Sequence, residues 1–248
     1  SAQMYQDVSE YDHLSILRAG LAIPAGLRYN DGASDTGRRD FHETYKCGGR
    51  VVSLSTVPAP HGKRKQMKLP YQNPIPVAAH RGNAKYFPEN TMASFRSAAA
   101  LCPDMIETDV HMTRDGELIL MHDHRLDRTT NGSGLIREHT LSELKALDAG
   151  SWKGREFAGE QVPTLREFLE YFRAYPDMLF NIELKDYPAD SGDFALESAR
   201  KTIAMMDAFG ITERSVVNSW SGALNEWLAD TYGSRVRIHG YSPQERMG

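Results

Sequence analysis

The chain has 248 residues, 40% hydrophobic and 25% charged, which suits one globular domain with a flank. Its formal net charge of -4 argues against a nucleic-acid binder driven by phosphate contacts. The sequence holds no run of about 18 apolar residues, so no membrane span is expected. The two cysteines, Cys47 and Cys102, match neither a metal-ligand spacing nor a disulfide framework, which favours a reducing compartment and a cytoplasmic location.

Residues 1–76 read as an irregular extension. The stretch from Thr56 to Pro76 holds Pro58, Pro60, Pro70, Pro74 and Pro76, a density that favours an extended arm over a helix. The basic run His61–Lys65 reads as a solvated face.

From Val77 the pattern changes to short apolar runs with helix-like segments between most of them. The runs are VAAH (77–80), MIETDV (105–110), ELILMHD (117–123), MLFNIELK (178–185), SVVNSW (215–220) and RVRIHGY (235–241). A helix is expected to start at Asn90-Thr91. Thr140-Leu-Ser-Glu143 and Thr164-Leu-Arg-Glu167 match capping boxes. Leu165, Phe168, Leu169 and Phe172 form an amphipathic stripe. Gly150, Gly210 and Gly233 fall where helix ends call for a left-handed residue. Strand-helix alternation implies α/β architecture with a parallel sheet, doubly wound or a barrel. The first strand has no phosphate-binding glycine loop after it, which disfavours a nucleotide site.

Polar residues gather at the expected strand ends. His80 closes the first strand, with Arg81 and Gly82 behind it, and Gly82 is expected to let the backbone turn without a Cβ clash. Glu107 and Asp109 point to one side of the second strand, because side chains alternate along a strand. His122 and Asp123 close the third, where Asp123 either orients His122 or bonds the loop backbone. Glu183 and Lys185 share one side of the fourth. His111, His124 and His239 read as structural or solvent-facing. Each element has a plain structural reading: a polar cap, a solvated edge, a surface ion pair. Their joint placement at four successive strand ends is harder to explain that way. Three converging carboxylates need a counter-ion, and an all-oxygen set suits Mg²⁺ or Ca²⁺. Two histidines can shuttle protons, and Arg81 and Lys185 can hold a phosphate. The combination points to metal-assisted phosphoester cleavage.

The ordered set His80-Arg81-Gly82, Pro88-Glu89-Asn90-Thr91, Glu107-x-Asp109, His122-Asp123 with Leu126-Asp127-Arg128-Thr129-Thr130, and Glu183-x-Lys185 resembles the glycerophosphodiester phosphodiesterases. The segment Leu141 to Leu165 resembles the same family. The resemblance implies a TIM-type (β/α)8 barrel and a divalent metal, Mg²⁺ or Ca²⁺, held by Glu107, Asp109 and Glu183. It implies His80 and His122 as an acid/base pair, with Arg81 and Lys185 on the phosphate. Glu89 would line the site through the metal, the glycerol or the His80-Arg81 loop, and Trp220 would serve as an apolar wall beneath the glycerol. The implied substrate is a small glycerophosphodiester, cleaved to sn-glycerol 3-phosphate and an alcohol through a cyclic phosphate. Other readings are a lysophospholipase D- or sphingomyelinase D-like enzyme and a non-catalytic phosphodiester-binding module. Paired cysteines near the mouth, which the toxin relatives of this fold carry, are not expected here. The family barrel needs eight strands, and six are legible from Val77 to Tyr241. The expectation is a piece of a longer protein, with the last strands beyond Gly248, rather than a barrel completed by residues 1–76.

Overall fold

The structure is a computed structural model that describes residues 76–240, together with the backbone of strands β1 (Tyr45–Cys47) and β2 (Arg50–Val52). These two strands pair antiparallel, Lys46 opposite Val51, so one regular element stands within a segment expected to be irregular. They fall in a unit of their own, Glu10–Lys68. The basic run His61–Lys65 and Tyr241 lie outside the described residues.

The main sheet contains β3 (Ala78–Ala79), β4 (Met105–Met112), β5 (Leu118–Leu120), β6 (Leu179–Leu184), β7 (Ser215–Ser219) and β8 (Arg237–Gly240). Five strands run parallel in the order β3-β4-β6-β7-β8, and β5 pairs antiparallel with β4 alone. This corrects the expected third barrel strand. The run ELILMHD supplies a return strand of a hairpin, turned at Thr113–Gly116, where Gly116 takes φ +81 and its N–H donates to the Thr113 carbonyl at 2.9 Å. Among the described residues, β3 and β8 each pair on one side.

Alternation along the parallel strands separates two interiors. Ile106, Val110, Phe180, Ile182, Leu184 and Val217 face outward into the main core. The helices supply its other half. These are α1 (Met92–Ala100), α2 (Leu141–Lys145), α3 (Leu165–Phe172), α4 (Pro188–Ser191), α5 (Asp193–Ala208) and α6 (Gly222–Tyr232). The α3 stripe is buried, with Leu165, Phe168, Leu169 and Phe172 each at most 1% exposed, and Phe168 stacks edge-on against Phe95 at 4.7 Å. Both expected capping boxes are present, at Thr140/Glu143 and Thr164/Glu167. Thr91 caps α1 through the Ser94 N–H. On the other face of the sheet, Met105, Leu179 and Val216 form a small apolar floor. The polar residues stand above that floor on the same strands.

Two of the three expected left-handed glycines differ. Gly210 adopts φ +66, but Gly233 continues the helical conformation at φ -57. Gly150 is required by close approach instead, since a Cβ there would stand 1.8 Å from the Phe157 carbonyl oxygen. Cys102 is disulfide-bonded, which corrects the expectation of unpaired thiols and removes the cysteine argument for a reducing compartment. Among the described residues no helix is long and apolar enough to cross a membrane.

Candidate active site

The β4–β6 register sets Asp109 beside Glu183 and Glu107 beside Asn181. Glu107, Asp109 and Glu183 are buried, and their nearest ligand atoms lie within 4.8 Å of one another. Three carboxylates at this separation repel strongly in a dry interior. Lys185, two residues beyond Glu183 on the same face, answers part of that charge. Its Nζ donates to Glu183 Oε1 and lies 3.1 Å from Asp109 Oδ1. Burial opposes the charge on Lys185, but Asp109 and Glu183 outweigh it and hold the ammonium above its ordinary range.

The loop after β3 closes over this cluster. Arg81 and Asn90 both take the left-handed conformation, at φ +55 and +54, a strain of roughly 1–2 kcal/mol per residue. Their geometry is used. The Arg81 N–H donates to Glu107 Oε2 at 2.7 Å, and the Arg81 carbonyl accepts from the Asn90 N–H at 3.1 Å. The Asn90 amide donates to Asp109 Oδ2 at 2.8 Å, and Arg81 Nη1 donates to Glu89 Oε1 at 3.0 Å. Gly82 follows at φ +79, where a Cβ would stand 2.5 Å from Ser94 Oγ and 2.8 Å from the Ser94 backbone. His80 Nε2 lies 3.8 Å from Glu107 Oε2.

His122 arrives by a different route. The hairpin sets Leu120 opposite Val110, and the Met121 N–H donates to the Asp109 carbonyl at 3.1 Å. The chain thus returns to the level of the carboxylates at His122. His122 Nδ1 lies 2.7 Å from Asp123 Oδ1. A carboxylate only accepts, so Nδ1 carries the proton and Nε2 is left as the basic nitrogen of the neutral ring. The Arg128 guanidinium, followed by the His122 contact, keeps the Asp123 carboxyl well below the ordinary carboxylate range against the opposing effect of burial. Both Glu89 oxygens are bonded to guanidiniums, of Arg81 and Arg128. Glu89 thus joins the Arg81 side chain to Arg128.

A cleft of about 790 Å³ opens beside the cluster, lined by His122, Lys185, Tyr187 and Trp220 among others. His111 sits behind it, buried, with Nδ1 2.9 Å from Asp186 Oδ1. Asp186 also accepts from the Met112 N–H at 2.8 Å, so this pair pins the end of β6 to β4. The sequence reading gave no role to Asn90 or Arg128. Both stand in motifs that were legible, but nothing local shows which carboxylate each reaches.

The donor set fits a hard divalent cation. All three carboxylates offer oxygen, and Glu107 Oε1 is buried with no hydrogen-bond partner among the described residues. Burial first, then the charges of Asp109 and Glu183, push the Glu107 carboxyl well above its ordinary value of 4.5, against the Arg81 N–H. A raised carboxyl pKa means that the folded chain keeps a proton the unfolded chain has released. Without a cation, unfolding free energy should therefore fall as pH rises from 4.5 through the raised value. Urea denaturation in EDTA across that range measures it. Glu107→Gln or a saturating divalent cation should flatten the slope, and a wild-type profile already flat in EDTA would contradict the buried charge cluster.

The model of the glycerophosphoryl diester phosphodiesterase family matches residues 80–229. A glycerophosphodiester phosphodiesterase of Caldanaerobacter subterraneus is 42% identical over 149 residues, 58% of each chain. One of Bacillus subtilis is 43% identical over 123 residues, 46% of this chain and 42% of its own. This chain thus spans about half the length of the curated relatives it matches. Among solved structures, a glycerophosphodiester phosphodiesterase from Agrobacterium tumefaciens aligns with TM-score 0.57 and 33% identity over 66% of both chains. A phosphodiesterase from Oleispira antarctica, in complex with the product sn-glycerol-3-phosphate, aligns with TM-score 0.58 and 32% identity over 69% of this chain and 70% of its own. The α/β fold is of the TIM-barrel type expected from the sequence. With well over half of its 248 residues inside the family match, this chain belongs to the glycerophosphoryl diester phosphodiesterase family.

Proposed function

We propose that this chain hydrolyses small glycerophosphodiesters to sn-glycerol 3-phosphate and an alcohol. The observation that carries the reading is the buried trio Glu107, Asp109 and Glu183 with Lys185 between two of them, flanked by His80 beside Glu107 and by the His122–Asp123 pair. Glu107, Asp109 and Glu183 are the residues that would hold Mg²⁺ or Ca²⁺. Such an ion, when bound, supplies positive charge to the phosphate oxygens.

The chain's own groups do the rest. Lys185 reaches the cleft and offers an ammonium to the phosphate. Arg81 commits Nη1 to Glu89 and turns Nε toward Asp109 at 3.4 Å, which leaves Nη2 for a phosphate oxygen. One histidine takes the proton from the attacking glycerol hydroxyl as its P–O bond forms. The other donates a proton to the leaving alcohol oxygen as that P–O bond breaks. The resulting cyclic phosphate is opened by water with the roles reversed. Trp220, 62% exposed, offers an apolar face in the same cleft for the glycerol carbons.

The test is release of glycerol 3-phosphate from glycerophosphocholine with Mg²⁺, with Ca²⁺ and with EDTA, and with lysophosphatidylcholine as a competing substrate. Release that needs a divalent cation is the expected result. Turnover of the lysolipid alone would move the assignment to a lysophospholipase D-like enzyme. Silence with both substrates and every cation, in a folded protein, would overturn the hydrolase and leave a phosphodiester-binding module.

A further inference from the structure

Arg128 stands at a junction that the proposed chemistry does not itself require. Its Nε donates to Asp123 Oδ2 at 2.7 Å and its Nη2 to Asp123 Oδ1 at 2.9 Å. The same guanidinium donates from Nη1 to Glu89 Oε2 at 3.0 Å and from Nη2 to Glu89 Oε1 at 2.8 Å. Two carboxylates are each gripped by two N–H groups of one planar fork. A lysine cannot reproduce that, because an ammonium is a point charge with no fixed plane.

What the grip fixes is the plane of the Asp123 carboxylate, and Asp123 in turn receives the His122 Nδ1–H. Glu89 passes the connection to Arg81, and Arg81 to Asp109 and Glu107. An unbroken series of charged contacts thus runs from the His122 ring to the carboxylate trio. A merely structural staple would be an odd use for it. The Arg128 side chain is 43% exposed, and ion pairs at such exposure stabilise folds little. What an exposed fork can still set is orientation, which a proton-transferring ring needs.

We infer that Arg128 is a positioning residue: by clamping Asp123 against Glu89 it holds His122 in the tautomer and orientation that leave Nε2 facing the reaction. The inference rests on the function proposed above for its kinetic meaning, but not for its structural test. Without Arg128, Asp123 loses both of its guanidinium bonds and faces Glu89 uncompensated. The carboxylate is then free to rotate, and the ring is free to exchange the Nδ1–H and Nε2–H forms.

The experiment uses the full chain with Arg128→Gln, Arg128→Lys and Asp123→Asn, each checked for folding by its thermal midpoint. The first readout is the ¹⁵N spectrum of the imidazoles, with the His122 signals identified by their loss in His122→Gln. Wild type should show His122 protonated at Nδ1. In both Arg128 variants the signals should shift toward a tautomer average, less so for lysine. The second readout is glycerophosphocholine turnover, with kcat roughly 10- to 100-fold lower in Arg128→Gln and KM little changed. The double variant Arg128→Gln/Asp123→Asn should be no worse than its more damaging single parent, because the two act as one unit. Wild-type His122 signals in both folded Arg128 variants would overturn the inference. If Arg128→Gln fails to fold, the lysine variant decides by the same spectrum. If wild type turns over no substrate, the proposed function fails, yet the spectrum still decides the role of Arg128.

Discussion

Lys185→Met is expected to lower the unfolding free energy of the cation-free protein by about 3–5 kcal/mol, the usual cost of stranding a buried charge. Lys185 is 3% exposed and Asp109 0%, so the carboxylates cannot turn to water when the ammonium is removed. Methionine fills similar volume, which keeps packing loss small beside the electrostatic one. Saturating divalent cation should return much of the loss, since it neutralises the same oxygens. Urea denaturation in EDTA and in Mg²⁺ or Ca²⁺ measures both effects. Wild-type stability of the variant in EDTA would show that the trio does not depend on Lys185 for its charge balance. Activity should be lost in either case if Lys185 contacts the phosphate as proposed, because the cleft it lines loses its ammonium.

The largest kinetic effects should come from the two histidines, and they should come without loss of fold. His80 and His122 side chains are 38% and 33% exposed, so alanine at either position should move the thermal midpoint by no more than about 3 °C. The value of kcat should fall by roughly 10²- to 10⁴-fold in each variant, the range for one positioned acid or base. Glycerol 3-phosphate release and a thermal melt on the same samples separate the two quantities. A substrate whose leaving alcohol is already acidic sorts the roles. The variant that lacks the general acid should recover most of its rate on it, while the variant that lacks the base should not. A folded variant of either histidine with near wild-type kcat would remove that residue from the proton-transfer scheme.

The polar face of the sheet was readable because strand periodicity is simple. Placing Glu107 with Asp109, and Glu183 with Lys185, needed only the alternation of side chains and the parallel pairing of two strands. The α3 stripe and both capping boxes were equally local. The direction of β5 was missed because an apolar run does not encode which way it travels. A signal was present, since Asp115-Gly116 is a hairpin turn pair, but the expectation of regular strand-helix alternation overrode it. Arg128, Asn90 and the role of Asp123 depend on two loops meeting across the mouth, and no periodicity reports that. Gly150 was misread for the same reason: the carbonyl it accommodates belongs to Phe157, seven residues on in an irregular segment.

The hairpin of β4 and β5 makes the distance from carboxylate to imidazole a matter of local register. Asp109 and His122 are linked through three residue pairs and one further hydrogen bond from Met121, while Trp220 follows β7, three pairings away from β5 across the sheet. Each residue of strand spans about 3.4 Å, so a slip of a single pair would carry His122 that far from the carboxylates. Asn218 stands on β7 and Trp220 just after it, so their distance from the carboxylates is set by the β4-β6 and β6-β7 pairings rather than by the hairpin. The two distances are thus set by different pairings: an antiparallel hairpin fixes the reach from Asp109 to His122, and a parallel ladder fixes where Trp220 stands.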